Sequence, residues 1–536
     1  MAEGLSHHRD GGSLRTELHW GRTVTCYADR APDLLSRMAA VVTERTEVVA
    51  VVEGDKRLSY AKLFDQAGTI ASLLAERGVG PGDRVAVMLA NGVDAVRAVI
   101  SLLRLGAVLV TIGTRSRAPE LDYICSDCEP AAIIYGPEFA DVIAGAEASP
   151  AIQLDVSADA WRETIASGRA APLAPASDED ALFAILYTSG TTGRPKGAML
   201  THLGAVHSCL HWRNAFALGD DERTLVCVPW AHVSGLCGVV VPFLYLGGTL
   251  VMLPEFKRRS MLEIAQRERV THALMVPAMY NLCLLESDLA EFDLRWWRIA
   301  AYGGAPMPQP TIERFSAAFP GLAMCNAYGA TETTSPATIM PPGKGTARSD
   351  SIGRTVMCGD IRVMDEQGRE VPPGIDGELW IGGPMVTPGY WRNPDATATS
   401  FVNGYWKSGD IGSIDAEGFV RIADRKKDMI IRGGFKIYPA EVESVIAGLD
   451  GVVEAAVVGR ADSMLGEAVI AFVTVDDEAV TAFRVREWCA ERLSDYKVPG
   501  EVLVGSAPLP RNVNGKLQKA ELRERVAALP TQKVNA

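Results

Sequence analysis

The stretch Tyr187-Thr-Ser-Gly-Thr-Thr-Gly-Arg-Pro-Lys-Gly197 concentrates three glycines, four serine or threonine hydroxyls and a lysine within eleven residues. It follows the strand-like run 181–187 and precedes a helical pattern. Glycines let the backbone approach a ligand closely, and amides, hydroxyls and the charge of Lys196 can surround phosphate oxygens. Because Pro195 precedes Lys196, the stretch is not a Walker loop. It predicts a phosphate-binding loop; the alternative is a flexible Gly/Thr-rich surface loop.

The residues upstream of this loop predict a parallel sheet. A strand over 84–89, a helix over 93–105 and a strand over 107–112 form a βαβ unit, which implies helices covering the sheet. Further short strands are predicted at 130–135, 181–187, 224–228 and 249–253. The chain is therefore expected to be α/β, with a large N-terminal domain of parallel-sheet αβαβα subdomains.

The pattern of predicted strands and turns changes after about position 350. Strands become shorter and turns such as Gly374-Ile-Asp-Gly377 become frequent, which predicts a small antiparallel, barrel-like subdomain over 350–426. A short charged break at 424–428 precedes a compact α+β stretch. Its strands are predicted at 429–431, 455–458 and 468–475, and its helices at 440–447 and 482–493. We predict an N-terminal domain over 1–426 and a small C-terminal domain over 427–536.

The composition of the chain limits the classes of partner and the cellular compartment that we expect. The 536 residues carry a formal net charge of -13, which argues against nucleic acid or an anionic membrane surface as the main partner. The longest apolar run, 239–253, is too short to span a bilayer, and residues 1–10 lack the apolar core of a signal peptide. The ten cysteines are scattered rather than densely spaced, which is typical of the reducing cytoplasm.

The phosphate loop and six further motifs, in order, resemble the adenylate-forming superfamily of acyl-CoA synthetases, peptide-synthetase adenylation domains and luciferases, and are closest to acyl-CoA ligases. The further motifs span most of the chain: 83–89, Tyr302-Gly-Gly-Ala-Pro306, Asn326-Ala-Tyr-Gly-Ala-Thr-Glu-Thr333, Tyr405-Trp-Lys-Ser-Gly-Asp410, 424–443 and Pro510-Arg-Asn-Val-Asn-Gly-Lys516. One such motif could arise by chance, whereas the ordered set is specific.

The resemblance implies a site for ATP or AMP. In it, Tyr328 stacks on adenine, Asn326 bonds the base edge, Thr331 reaches the α-phosphate and Glu332 holds Mg²⁺, a hard cation that prefers oxygen ligands. Asp410 accepts the ribose hydroxyls, with Arg425 as its partner. The full set of implied nucleotide-binding residues is Thr188, Ser189, Gly190, Thr191, Thr192, Gly193, Lys196, Gly304, Ala305, Pro306, Asn326, Ala327, Tyr328, Gly329, Thr331, Asp410 and Arg425.

The resemblance also implies a movable catalytic lysine. Lys516 would enter the site during adenylation and bridge the carboxylate and the α-phosphate, whose charges repel. Lys427 matches the hinge about which the small domain rotates between two half-reactions. The loop that follows the hinge resembles the one lining the path of coenzyme A, through Arg432, Gly433, Gly434 and Lys436.

The acyl pocket is less determined by the sequence. His232 resembles the position that gates or lines the carboxylate pocket and joins Lys516, Glu332 and Thr331 as a predicted catalytic residue. The predicted lining is His232, Val233, Ser234, Val276, Pro277, Tyr302, Gly303, Gly329 and Ala330, with Thr331 to Thr333 beside it. The set is mostly apolar and contains no cation for a second carboxylate, which favours a medium-chain or aromatic monocarboxylate.

His207 and His211 are four residues apart on a predicted helix, a spacing that can chelate a metal. No carboxylate lies at a supporting spacing, so packing roles are favoured over a metal site.

The resulting hypothesis is a two-step acid–thiol ligase that uses ATP, Mg²⁺ and coenzyme A. A carboxylate attacks ATP to give acyl-AMP and pyrophosphate, and a thiol then displaces AMP. Its partners would be a small carboxylate and coenzyme A, and a homodimer is left open. Three alternatives remain: an enzyme that loads a separate carrier protein, a luciferase-like oxygenase, and a nucleotide-binding sensor that catalyses nothing.

Overall fold

A computed structural model gives the architecture of the chain. It describes residues 13–168, 177–188, 194–426, 428–433, 435–462, 465–477, 479–511 and 517–528. Among these residues the strands lie in four sheets. No helix in this part of the chain is long and apolar enough to cross a membrane.

The strands, in chain order, are β1 (Leu14–His19), β2 (Arg22–Tyr27), β3 (Val49–Glu53), β4 (Lys56–Ser59), β5 (Arg84–Met88), β6 (Val108–Thr111), β7 (Ala132–Tyr135), β8 (Ile152–Asp155), β9 (Leu182–Thr188), β10 (Lys196–Thr201), β11 (Arg223–Val226), β12 (Thr249–Met252), β13 (His272–Met275), β14 (Ile299–Tyr302), β15 (Ala323–Tyr328), β16 (Thr338–Ile339), β17 (Gly353–Thr355), β18 (Asp360–Met364), β19 (Gly377–Gly382), β20 (Phe401–Val402), β21 (Tyr405–Ile414), β22 (Phe419–Arg425), β23 (Ile430–Arg432), β24 (Phe435–Ile437), β25 (Val452–Asp462), β26 (Gly466–Val475) and β27 (Glu501–Gly505).

The α-helices are α1 (Leu34–Glu44), α2 (Tyr60–Glu76), α3 (Val93–Leu105), α4 (Ala118–Cys128), α5 (Ala140–Ala144), α6 (Asp159–Ser167), α7 (His202–Phe216), α8 (Val233–Gly235), α9 (Val241–Leu246), α10 (Arg258–Arg267), α11 (Pro277–Cys283), α12 (Gln309–Ala318), α13 (Pro394–Ser400), α14 (Pro439–Ala447), α15 (Ala482–Ala490) and α16 (Lys519–Ala527). A π-helical turn, Leu236–Val240, joins α8 to α9, and 3₁₀ turns lie at Pro137–Phe139, Leu289–Glu291, Thr331–Thr333 and Asp495–Lys497.

The predicted βαβ unit is confirmed as β5, α3 and β6, within a six-stranded sheet of order β10-β9-β6-β5-β7-β8. β5 pairs in parallel with β6 and β7, and only β10 runs antiparallel. The helix α3 ends at Gly106, whose φ of 71° is the left-handed conformation that glycine adopts without steric cost.

A second parallel sheet continues into the antiparallel strands. Its parallel part is ordered β15-β14-β13-β11-β12-β3. At β15 it passes through β16 and β17 to β22, β21, β19 and β18, all of which pair antiparallel. The strands predicted as a barrel-like subdomain over 350–426 are antiparallel as expected. Backbone hydrogen bonding nevertheless makes them an extension of the parallel sheet.

The strands beyond position 430 form a sheet of their own, ordered β24-β23-β26-β25 with β27 on β26. Helices α14 and α15 lie at the predicted places, and the core between them and the sheet includes Ile437, Val442 and Val485. The α+β character predicted for this region is confirmed, while the boundary at 426/427 stays a prediction.

One buried amide ties the two parallel sheets together. Asn91 follows β5, and its Nδ2 group donates to carbonyls that follow or end β11 and β12, those of Val226 (3.3 Å), Val228 (3.0 Å) and Leu253 (3.2 Å). Its Oδ1 atom accepts a hydrogen bond from the backbone N–H of Trp230 at 2.9 Å. Because carboxyl ends of parallel strands form ligand sites in such folds, this amide fixes the edges on which a site can be built.

Replacing Asn91 with Leu should lower the free energy of unfolding by about 2 to 4 kcal/mol, because buried carbonyls and one buried N–H each lose a hydrogen bond. Urea unfolding followed by tryptophan fluorescence measures this change. The exposed Gln367→Ala variant is the control and should differ from wild type by about 0.5 kcal/mol or less. Equal stability of the two variants would contradict a tying role for Asn91.

Candidate active site

A buried carboxylate organises the junction between the parallel and antiparallel parts of the large sheet. Asp410 on β21 lies directly opposite Arg425 on β22, and Arg425 Nε contacts its Oδ1 atom at 2.6 Å. The hydroxyl of Tyr328, the last residue of β15, donates to Oδ2 at 2.6 Å. Burial by itself would lower the pKa of Arg425, but the negative charges around it, of which Asp410 contributes most, together raise that pKa. The three side chains form one charged, hydrogen-bonded group at the end of β15.

The turn after β14 lies beside this group. The backbone of Gly303 approaches β15 so closely that a Cβ atom there would lie 2.3 Å from the carbonyl oxygen of Ala327. Gly304, Ala305 and Pro306 are exposed, whereas Asn326 is buried on the neighbouring strand β15. Only glycine fits the position of closest approach, and the residues that follow it present an open strip next to Tyr328.

A second carboxylate follows Tyr328 in the 3₁₀ turn Thr331–Thr333. Glu332 is buried, and its Oε1 atom accepts a hydrogen bond of 2.8 Å from the hydroxyl of Tyr390. The Nζ atom of Lys196 lies 5.1 Å from the centre of the Tyr390 ring, over its face. The sequence motifs predicted Glu332 and Lys196 but missed Tyr390. The Gly-Tyr-Trp stretch at 389–391 was its only signal.

The described ends of the phosphate loop are anchored to helix α4. Thr188 ends β9 and Lys196 begins β10, and the Thr188 hydroxyl donates to the Lys196 carbonyl at 3.4 Å. The hydroxyl of Tyr123 donates to the Pro195 carbonyl at 2.9 Å, and that of Tyr187 donates to Asp127. These α4 contacts were not predicted. The predicted residues Ser189, Gly190, Thr191, Thr192 and Gly193 lie outside the described residues.

The predicted acyl-pocket residues are spread over several strand ends. His232, Val233 and Ser234 are half-buried where the chain enters α8, and the Thr111 hydroxyl holds this entry through the carbonyl of Ala231 at 2.6 Å. Half-buried positions also include Val276, Gly303, Gly329, Ala330 and Thr331, whereas Pro277 is buried.

Tyr302 differs from the rest of this set. Its side chain is only 1% exposed and packs edge-on against Tyr280, with ring centres 6.5 Å apart. It lies in the core behind the second sheet, together with Met275 and Phe315. A place for Tyr302 in the pocket wall therefore stays a prediction.

Several predicted residues of the C-terminal region fall outside the description. Lys427, Gly434 and Lys516 are among them, as is the side chain of Lys436. Arg432 ends β23, and its guanidinium donates to the carbonyl of Tyr496 at 2.8 Å. Gly433 adopts a φ of 59° at the turn into β24.

The histidines of α7 are packing residues, as favoured by the sequence. His207 Nδ1 lies 2.9 Å from the carbonyl of Leu203, and Nε2 accepts from the backbone N–H of Tyr27 at 3.2 Å. Both nitrogens are therefore occupied. His211 is 2% exposed, and neither of its nitrogens has a hydrogen-bond partner among the described residues. Burial lowers the pKa of His207 to about 4 and holds that of His211 well below its ordinary value, so both rings are neutral.

One group of potential metal ligands lies elsewhere, formed by Glu17, His19 and Cys26. Glu17 already pairs with Arg30 at 2.7 Å, and His19 with Asp180 at 2.9 Å. Burial raises the pKa of the Cys26 thiol to about 12. A protonated thiol and a carboxylate held by arginine are poor ligands, so this group does not favour a cation.

Two family models and many known proteins match this chain. Residues 38–391 match the family model described as AMP-binding enzyme, and residues 441–516 match the model of the AMP-binding enzyme C-terminal domain. The chain is 36% identical over 497 residues to a long-chain-fatty-acid–CoA ligase, FadD13 of Mycobacterium tuberculosis, covering 92% of this chain and 98% of the relative.

Two further similarities concern an aromatic-acid ligase and a solved structure. Feruloyl-CoA synthase of an Amycolatopsis species is 35% identical, with 89% of this chain and 95% of the relative covered. The crystal structure of ATP-bound MatB from Rhodopseudomonas palustris superimposes with a TM-score of 0.86 at 32% identity, covering 93% of this chain and 99% of that one.

Acid should destabilise the protein through its buried histidines. The pKa of His202 and of His207 is lowered by burial from 6.5 to about 4. Between these values the unfolded chain binds more protons than the folded one, so the free energy of unfolding falls as the pH drops, by about 3 kcal/mol per histidine.

Urea unfolding at a series of pH values measures this effect. The His202→Leu variant should show a shallower decline between pH 6.5 and about 4, because one titrating group is gone. An identical decline in the variant and the wild type would contradict a neutral, buried His202.

Proposed function

Since the chain belongs to the AMP-binding enzyme family and is an AMP-forming acid–thiol ligase that acts through an acyl-adenylate and uses ATP and coenzyme A, we propose that its acid is a medium-chain or aromatic monocarboxylate and that Mg²⁺ accompanies ATP. The observation that carries the assignment of its active site is the group formed by Tyr328, Asp410 and Arg425. All three were expected at the nucleotide from motifs far apart in the sequence, and they meet at one strand end.

Asp410 is proposed to bind the ribose. Its two oxygens already accept from Tyr328 and Arg425, and each carboxylate oxygen has a further lone pair with which to accept a ribose hydroxyl. The Tyr328 ring, half-buried at the end of β15, would stack on adenine. The exposed strip Gly304 to Pro306 and the edge of Asn326 would flank the base.

The phosphates are proposed to lie between the loop after β9 and the turn Thr331–Thr333. Lys196 supplies a positive charge and Thr188 a hydroxyl from one side, while Thr331 would reach the α-phosphate from the other. Glu332 is the residue that would hold Mg²⁺, since its carboxylate offers the oxygen donors that a hard cation prefers. The remaining loop residues, Ser189 to Gly193, are proposed to wrap the phosphates through their amides and hydroxyls.

The reaction needs no protein nucleophile. A carboxylate oxygen of the acid attacks the α-phosphorus, the bond to the β-phosphate bridging oxygen breaks, and pyrophosphate leaves. The thiol sulfur of coenzyme A then attacks the acyl carbonyl, the thiol proton is released and AMP leaves. Catalysis rests on alignment and on charge stabilisation, for which Lys516 is the proposed cation in the first step. His232, at the entry to α8, is proposed to line the carboxylate end of the pocket.

The C-terminal region is proposed to be a mobile domain over 427–536 that turns about Lys427. In support, strands β23 to β27 pair only with one another among the described residues. Its contacts with the large domain include a 2.9 Å hydrogen bond from the Ala440 N–H to Asp424. Arg432, Gly433, Gly434 and Lys436 would line the path of the thiol arm in the second step.

The choice of acid rests on the chemistry of the proposed lining. His232 to Ser234, Val276, Pro277, Gly303, Gly329 and Ala330 carry no lysine or arginine, so a second carboxylate would be buried without a counter-charge. The relatives named for a fatty acid and for ferulate are almost equally similar, which leaves both aliphatic and aromatic monocarboxylates within the proposal.

The proposed compartment is the cytoplasm. All ten cysteines are buried and free of disulfides, which is typical of a reducing environment.

The function is tested by AMP and pyrophosphate release with ATP and MgCl₂ across fatty, aryl and alicyclic acids, with and without coenzyme A. We expect turnover that depends on coenzyme A, with the best substrate among the monocarboxylates. Pyrophosphate exchange without coenzyme A-dependent turnover would favour a carrier protein as the acceptor. A dicarboxylate or an amino acid as best substrate would contradict the proposed pocket.

The Lys516→Ala variant should lose adenylation by about 10²- to 10³-fold, because a charge that stabilises the transition state is removed. Transfer from supplied acyl-AMP to coenzyme A should persist, since the second step does not use this lysine. The exposed Lys344→Ala variant is the matched control. Full adenylation by Lys516→Ala in a pyrophosphate-exchange assay would refute the assigned role.

A further inference from the structure

Tyr390 contacts both charged groups proposed to hold the metal–nucleotide complex. Its hydroxyl donates to Glu332 Oε1 at 2.8 Å, and its ring lies 5.1 Å beneath the ammonium of Lys196. Glu332 and Lys196 are 136 positions apart in the sequence, and they reach this residue from the 3₁₀ turn that follows β15 and from the start of β10. A single side chain thus links the proposed metal ligand to the cation of the phosphate loop.

Hydrogen bonds of the backbone hold the segment that carries Tyr390 in place. Its segment runs beside β10, with hydrogen bonds from Met199 N–H to the Gly389 carbonyl at 3.1 Å and from Trp391 N–H to the Gly197 carbonyl at 2.7 Å. The backbone N–H of Tyr390 donates to the Thr397 hydroxyl at 2.9 Å.

The ring itself is 6% exposed and packs against Phe401, with ring centres 5.5 Å apart. A side chain held in this way can orient the groups that touch it.

We infer that Tyr390 is a positioning residue that orients the Glu332 carboxylate for Mg²⁺ and holds the Lys196 ammonium towards the phosphates; this inference rests on the proposed function of the same site. A hydrogen bond to one carboxylate oxygen restricts rotation of the group and directs the other oxygen. Partners that fix ligand orientation in this way raise metal affinity. The electron-rich ring face attracts the ammonium without removing any of its hydrogen-bond donors.

The Tyr390 hydroxyl contacts the side-chain carboxylate of Glu332. The fold does not need this hydrogen bond to place Glu332, because its backbone carbonyl accepts from the Thr387 N–H at 2.9 Å. The Tyr390 hydroxyl therefore acts on the Glu332 carboxylate and not on the backbone of Glu332. Its role is to position that side chain rather than to hold the fold.

The test uses equilibrium binding of ATP to the full-length protein by isothermal titration calorimetry over a series of MgCl₂ concentrations, which requires no knowledge of the acid. Tyr390→Phe keeps the ring and its packing but removes the hydroxyl. It should raise the MgCl₂ concentration for half-maximal enhancement of ATP binding by about 10- to 100-fold, while ATP binding without Mg²⁺ is unchanged. Tyr390→Leu should in addition weaken ATP binding without Mg²⁺, because Lys196 loses the ring.

Two controls isolate the hydroxyl. Tyr60→Phe removes a buried hydroxyl that donates to the Gly248 carbonyl at 2.7 Å, far along the chain from the site, and should leave the MgCl₂ dependence at its wild-type value. In a Glu332→Gln background, Tyr390→Phe should cause no further shift, because the hydroxyl acts through that carboxylate.

The outcomes distinguish this inference from the function on which it rests. A wild-type MgCl₂ dependence in Tyr390→Phe overturns the inference alone, as does the same shift in the Glu332→Gln background. ATP binding by the wild type that is independent of MgCl₂ overturns the inference together with the proposed use of Mg²⁺. Failure of the acid and coenzyme A assay would leave this binding result intact.

Discussion

The site depends on two parallel sheets being held with their carboxyl ends together. The side chain of Asn91 makes that join by donating to carbonyls of the second sheet while it accepts from Trp230. A buried amide whose donors and acceptor are all used is costly to disturb. The phosphate loop leaves the first sheet after β9, and the nucleotide motifs leave the second after β14 and β15, so a fixed join sets the distance between them.

The antiparallel strands supply the carboxylate and the guanidinium that contact the end of the second parallel sheet. By continuing the second sheet beyond β15, they bring Asp410 and Arg425 against the hydroxyl of Tyr328. Opposite positions on neighbouring antiparallel strands bring side chains close together, and the Asp410 carboxylate is buried at this contact. A carboxylate preorganised in this way is suited to a diol such as ribose, because its partners hold it in place before the ligand arrives.

At the end of the site proposed to hold the phosphates, a buried residue again supports charged groups. Tyr390 is buried and held by backbone hydrogen bonds to β10, yet its hydroxyl and ring face meet the charged Glu332 and Lys196. Tyr123 holds the same segment through the carbonyl of Pro195, the residue before Lys196.

Much of the fold and of the candidate site could be predicted from the sequence, because these features depend on residues that are close together in the chain. The glycines and hydroxyls of 187–197, the βαβ periodicity of 84–112 and the order of the motifs each predict their own element or residue type, and the strands and helices lie close to the predicted bounds.

The contacts of Asn91 and Tyr390 were not predictable, since each joins residues scores of positions apart and neither residue type is unusual for a surface loop or a turn. Burial also depends on long-range packing: the side chain of Tyr302, a residue predicted to line the pocket, is almost fully buried, which no local pattern indicates. The local sequence determines which secondary-structure elements form and which residue types they carry near the site. Long-range packing, which no single segment encodes, decides which of them touch.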